Sequence, residues 1–102
     1  MIIFNTTYHA DSEVRETFVN FVKDVLIPKS TASGLLTEPN LYLIHHQHEE
    51  GGTSYSLQFR AKNVEDLNYW MENEGHALQF EVTDRFKDRV MAFFTVLEKI
   101  VD

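Results

Sequence analysis

The sequence predicts an α+β domain of element order β-α-β-β-α-β, and three observations carry that expectation. Four short segments are rich in β-branched and aromatic residues, two segments between them repeat apolar residues at helical spacing, and Gly51-Gly52 separates the middle two strands as a hairpin turn would. With 102 residues there is room for one domain, spanning 1–102, and a 43% hydrophobic share supplies enough apolar surface for an independent core.

Ile2 to His9 is the first expected strand, with Ile2, Phe4, Thr6 and Tyr8 on one face and Ile3, Asn5, Thr7 and His9 on the other. Asp11 or Ser12 offers an N-cap oxygen, and Val14, Phe18, Phe21, Val22 and Val25 then recur at helical spacing. Pro28 lacks a backbone N–H and disfavours helix at Ile27, so the first helix is expected to end or kink there, before Gly34. Leu41 to His48 reads as the second strand, with Pro39 holding Leu35 to Glu38 outside a central position.

Thr53 to Arg60 is the clearest period-two segment, placing Tyr55, Leu57 and Phe59 opposite Ser54, Ser56, Gln58 and Arg60. Asn63 caps a second helix whose stripe is Val64, Leu67, Trp70 and Met71; Gly75 is expected to interrupt it, and Leu78, Val82 and Phe86 to continue in a further helical segment. Val90 to Leu97 is apolar on both faces and reads as the last strand.

Right-handed crossovers close this order as an antiparallel sheet of strand order 4-1-3-2, with both helices on one face. The other face stays open, yet the second and fourth strands are apolar on both sides, so a homodimer packed through the sheet face is expected.

The charge of -7 opposes phosphate backbones and anionic lipid surfaces, so neither nucleic acid nor membrane is an expected partner. Cysteine is absent, which removes disulfides, thiolate nucleophiles and Cys-ligated metal sites. The N-terminus carries no signal-peptide pattern and no apolar run approaches the roughly 20 residues of a membrane span, so a cytoplasmic location is expected.

His45-His46-Gln47-His48-Glu49-Glu50 is the most unusual local feature. His46 and His48 share a strand face and form a weak metal-ligand pair, and the topology suggests that all five histidines gather at one end of the sheet; ordinary surface histidines on a polar rim are the alternative. Asn5 and Thr7 are polar on a strand expected to be central, where they either line a semi-polar cavity with Ser54, Ser56 and Gln58 or bond across strands at a dimer seam. Trp70 and Met71 lie on the apolar stripe with Leu67 and read as core. Phosphate-loop, nucleophile-elbow and helical metalloprotease patterns are absent, and no cofactor is expected.

Met1-Ile2-Ile3-Phe4-Asn5, Ile27-Pro28, Ser33-Gly34-Leu35, Gly51-Gly52-Thr53-Ser54-Tyr55-Ser56-Leu57-Gln58-Phe59 and Arg85-Phe86-Lys87-Asp88-Arg89-Val90 resemble a bacterial family of unknown function, DUF4286. The resemblance implies a ferredoxin-like protomer and a dimeric α+β barrel. The wider barrel group includes cofactor-free quinol monooxygenases, haem-degrading monooxygenases, lactone isomerases and stress-response proteins, and fold analogy alone does not choose among them. Asn5 and Trp70 match an Asn and a Trp of the haem-degrading members, but the axial histidine position falls near Phe80, and His76 lies six residues after Trp70, so the resemblance breaks at the iron ligand.

Two readings of function follow. The first is a non-catalytic or regulatory dimeric module binding a small hydrophobic molecule between sheet and helices, for which Asn5, Thr7, Trp70 and His76 are candidate ligand contacts. The second is a cofactor-independent monooxygenase or isomerase acting on an aromatic or quinol-like substrate, with Asn5, His9 and Trp70 as candidate catalytic residues.

Overall fold

The computed structural model describes residues 1–45 and 51–101. Strand β1 (Ile2–Asp11) alternates strictly in burial, with Ile2, Phe4, Thr6, Tyr8 and Ala10 buried on one face. It lies between β3 (Gly52–Ala61) and β4 (Val90–Glu98), and β2 (Thr37–Ile44) pairs with the far side of β3, giving the order β2-β3-β1-β4 with antiparallel neighbours throughout. This is the ferredoxin-like arrangement expected from the element order.

Helix α1, residues 15–31, and helix α2, residues 64–86, both cover the face that carries Phe4 and Tyr8. The Tyr8 and Phe18 rings are 4.9 Å apart and the Phe4 and Trp70 rings 5.9 Å apart, one contact to each helix. Phe18, Phe21, Val22 and Leu26 from α1 meet Leu67, Trp70, Leu78, Val82 and Phe86 from α2 over Leu57 and Phe59 of β3. Phe86 stands edge-on to both Phe18 and Phe21, which ties the two helices together.

Both helices depart from the sequence expectation at a wide π turn. Helix α1 does not end before Pro28: Arg15–Phe21 passes through the π segment Val22–Leu26 into the α segment Ile27–Thr31. Pro28 stands immediately after the wide π segment, which accommodates a ring without an N–H inside a continuing helix. Its start also differs, since Asp11 remains in β1 and Val14 stands at the N-cap position without a side-chain cap.

Helix α2 runs without interruption through Val64–Trp70, the π segment Met71–Gly75 and His76–Phe86. Asn63 caps it as expected, its side chain accepting from the Asp66 N–H at 2.8 Å. Gly75 is present because of crowding rather than as a stop: a Cβ there would lie 2.6 Å from both Met71 Sδ and Trp70 Cζ3. The helix ends at Lys87, whose φ of 55° turns the chain through the short 3₁₀ segment Lys87–Arg89 into β4.

Strand β2 begins at Thr37, four residues before the expected start at Leu41. Its register with β3 shifts between Thr37 and Asn40, where Pro39 cannot donate and Glu38 has φ 51°, irregularities that an edge strand accommodates. The expected continuation of this strand through His46 and His48, with Glu49 and Glu50 of the turn, lies outside the described residues.

Beyond Val90, β4 is exposed on both faces. Phe93 is 60% and Leu97 44% exposed on the face away from the helices; Phe94 is 47% and Val96 53% exposed on the helix side. Among the described residues no helix is long and apolar enough to cross a membrane.

Candidate functional site

The antiparallel registers settle which polar side chains meet. Asn5 stands opposite Gln58 and Thr95, Thr7 opposite Ser56 and Phe93, and His9 opposite Ser54 and Met91, all on the sheet face that the helices leave open. The Asn5 amide donates to Thr7 Oγ1 at 3.2 Å and its carbonyl accepts from Ser56 Oγ at 2.5 Å. Gln58 Nε2 donates to Ser56 Oγ at 3.3 Å, and His9 Nδ1 lies 3.0 Å from Ser54 Oγ. A central strand thus keeps its polar row by bonding it across to β3, which satisfies the amide without a ligand.

Trp70 is on the other side of the sheet. It packs against Phe4, 3% exposed, and its indole N–H donates to the Ser30 carbonyl at 2.9 Å. Asn5 and Trp70 therefore do not share a cavity wall, because the odd and even residues of β1 project to opposite faces. The pairing of Asn5, His9 and Trp70 around one substrate, and of Asn5 and Thr7 with Trp70 and His76 around one ligand, is corrected on that ground.

His76 is exposed partway along α2, and His45 is exposed just beyond β2, so the expected gathering of histidines at one sheet end does not extend to His76. Helix α2 runs on from His76 to Phe86 before β4 opens at Val90 opposite Ala10, so His76 stands midway along the helix and short of the end where His9 sits. His46 and His48, the proposed metal pair, lie outside the described residues; among those described, no group of three or more metal-donor side chains converges.

The space between sheet and helices is lined by residues other than Asn5, Thr7 and His76. Directly over Phe4, Thr6 and Tyr8, below Trp70 and Leu78, a cavity of about 20 Å³ remains, space for about one water and no ring. Next to it, between β1, β4 and α2, opens a cleft of about 220 Å³ lined by Tyr8, Gln79, Val82, Thr83, Val90, Ala92 and Phe94. Tyr8, Gln79 and Phe94 border both spaces.

Phe94 reaches this position because β4 is the outer strand and its even residues from Val90 face α2; its ring stacks on Phe4 at 5.8 Å. Burial pushes the Tyr8 phenol up to about 12, against the smaller opposing effect of its hydrogen bond with Thr6. The cleft thus has mixed walls, with Val82, Val90, Ala92 and Phe94 beside a neutral phenol on the floor, the Gln79 amide and the Thr83 hydroxyl. Such a surface can hold a compact apolar body and address one polar group on it.

Tyr8, Gln79 and Phe94 were not singled out by the sequence. Tyr8 and Thr6 gave the available signal, two hydroxyl side chains on the face of β1 that otherwise reads as core. Gln79 gave less, since its place beside the Leu78, Val82, Phe86 stripe becomes meaningful only when β4 is laid next to α2.

The sequence model of the family described as Domain of unknown function (DUF4286) matches residues 1–100. No curated protein matches the chain. Among crystal structures, HapK from Hahella chejuensis is similar with TM-score 0.72 at 10% identity, covering 100% of this chain and 95% of that one. A dimeric ferredoxin-like protein from an uncultured marine organism superposes with TM-score 0.70 at 11% identity, covering 99% and 96%. An antibiotic biosynthesis monooxygenase does so with TM-score 0.69 at 10% identity, covering 99% and 100%. Identities this low carry the fold and nothing finer.

Proposed function

The chain belongs to the family described as Domain of unknown function (DUF4286), and we propose that it works as a homodimeric module that binds a compact, largely apolar molecule between β4 and α2. The observation that carries the ligand reading is the 220 Å³ cleft in which Val82, Val90, Ala92 and Phe94 stand around Tyr8 and Gln79. An apolar cavity of ~150 Å³ is enough for a benzene-sized molecule, so this volume suits one or two rings.

The dimer reading is supported by β4, which exposes Phe93 and Leu97 on one face and Phe94 and Val96 on the other. An outer strand apolar on both sides is an aggregation hazard unless a partner covers it. One neighbour in fold is described as a dimeric ferredoxin-like protein, which agrees with that need. The polar row from Asn5 to His9 would then lie between two sheets, which is the seam reading of these residues.

Light scattering tests the assembly, with twice the 11.9 kDa chain mass expected. Binding is tested by titrating indole while recording amide chemical shifts. Shifts clustered on Tyr8, Val82, Ala92 and Phe94 are expected; no shift from indole or any other one- or two-ring compound would end the ligand reading.

A second reading, a cofactor-independent monooxygenase acting on a quinol-like substrate, draws support from the fold it shares with an antibiotic biosynthesis monooxygenase. Its substrate would occupy the same cleft, with Tyr8 and Gln79 in the place first given to Asn5, His9 and Trp70. Dioxygen uptake on adding a simple hydroquinone, above the rate in buffer, would bring this reading forward.

A further inference from the structure

We propose that Gln79 selects the occupant of this cleft, by hydrogen bonding to one oxygen on an otherwise apolar molecule. The inference rests on the ligand reading above and deepens it. Gln79 is half-buried and borders both the cleft and the 20 Å³ space behind it. Its side chain has a carbonyl and two N–H donors, yet among the described residues its one hydrogen bond is from Nε2 to the Met71 thioether at 3.3 Å. Sulfur in a thioether is a weak acceptor, so the amide is held in place while most of its bonding capacity is left over.

The other polar groups of the cleft are differently placed. Tyr8 is buried at the floor, and Thr83 is exposed at the mouth. The side chains of Val82, Val90, Ala92 and Phe94 carry no donor or acceptor. A partly buried amide with a weak partner, set among the apolar side chains of Val82, Ala92 and Phe94, gains most from a ligand that brings an oxygen to it. The class implied is a small ring carrying a hydroxyl or carbonyl, and the corresponding hydrocarbon is disfavoured because it would leave the amide unpaired.

The test uses p-cresol and toluene, which share a ring and a methyl group and differ by one hydroxyl. Wild type and Gln79→Leu are titrated with each, followed by amide chemical shifts. Wild type is expected to bind p-cresol about five- to ten-fold tighter than toluene, the ratio one neutral hydrogen bond supplies. In Gln79→Leu that preference is expected to disappear or invert, with toluene still bound. Gln79→Met, which keeps the length of the side chain, provides the same comparison should the leucine variant not fold. Equal affinities in wild type, or a ratio unchanged in both variants, would overturn the role of Gln79 and leave the cleft standing. Binding of neither compound by wild type would overturn the ligand reading and this inference with it.

Discussion

The indole N–H of Trp70 in α2 donates to the backbone carbonyl of Ser30 in α1 at 2.9 Å, at a point where Ser30 is 2% exposed. Ser30 lies beyond Pro28, in the last turn of α1 that the π segment keeps helical, so this bond joins the two helices where α1 could have ended. Trp70→Phe would remove the donor and leave that carbonyl buried without its partner. A loss of roughly 2–4 kcal/mol is expected, from the unpaired acceptor together with the smaller ring. Urea unfolding measures it, and a change below about 1 kcal/mol would mean that water replaces the indole.

Gly75→Ala is expected to destabilise the fold although alanine is the better helix former. A new Cβ would lie 2.6 Å from Trp70 Cζ3, and the ring cannot retreat while its N–H is tied to Ser30. Met71 Sδ, also at 2.6 Å, belongs to a flexible side chain and can move. Overpacking of roughly 1–3 kcal/mol should outweigh the ~1 kcal/mol helical gain. A variant melting above wild type would show that the π segment yields instead.

The Tyr8 phenol imposes an alkaline limit on stability. Its ordinary value of 10.0 applies to the unfolded chain, whereas burial in the fold raises it to about 12. The unfolded state therefore loses its proton first as pH rises. Stability linked to Tyr8 is whole below pH 10 and is lost as pH climbs through about 12, by up to about 3 kcal/mol. Unfolding free energies of wild type and Tyr8→Phe between pH 9 and 12 should show the steeper decline in wild type. Parallel curves would contradict the assignment.

Substitution on the open face separates assembly from folding. Phe93 is 60% exposed and contributes little to the core of one chain, so Phe93→Lys should leave the melting of a single chain within about 0.5 kcal/mol. In the proposed dimer the same change buries an unpaired charge at the sheet interface. Light scattering is expected to fall from the dimer mass to the 11.9 kDa chain mass. An unchanged mass would place the partner elsewhere, and a wild type that is already a monomer at high concentration would remove the dimer altogether.

Local patterns in the sequence determined the element order, the antiparallel sheet of order β2-β3-β1-β4 and the placing of both helices on one side of it. Alternation in β1 and β3, the Asn63 cap and the Leu67, Trp70, Leu78, Val82 and Phe86 stripe carry that information because each follows from a period of two or 3.6 along one segment. The apolar residues on both faces of β4 marked that strand as unusual for the same reason.

What tertiary structure alone decided is which side chains meet. Period two shows that Asn5 and Phe4 project to opposite faces but not which face Trp70 will cover, and a helical stripe gives no rotational register against the sheet. Proline and glycine misled in the helices, since their local cost at Pro28 and Gly75 was outweighed by packing that the wide π turns permit. The cleft is a property of three elements at once: β1 provides Tyr8, α2 provides Gln79 and Val82, and β4 provides Phe94. Beyond the hydroxyls of Thr6 and Tyr8 on a core face, no single segment outlines that space, because a cavity is where packed elements fail to touch, and that depends on their mutual placement rather than on the pattern within any one of them.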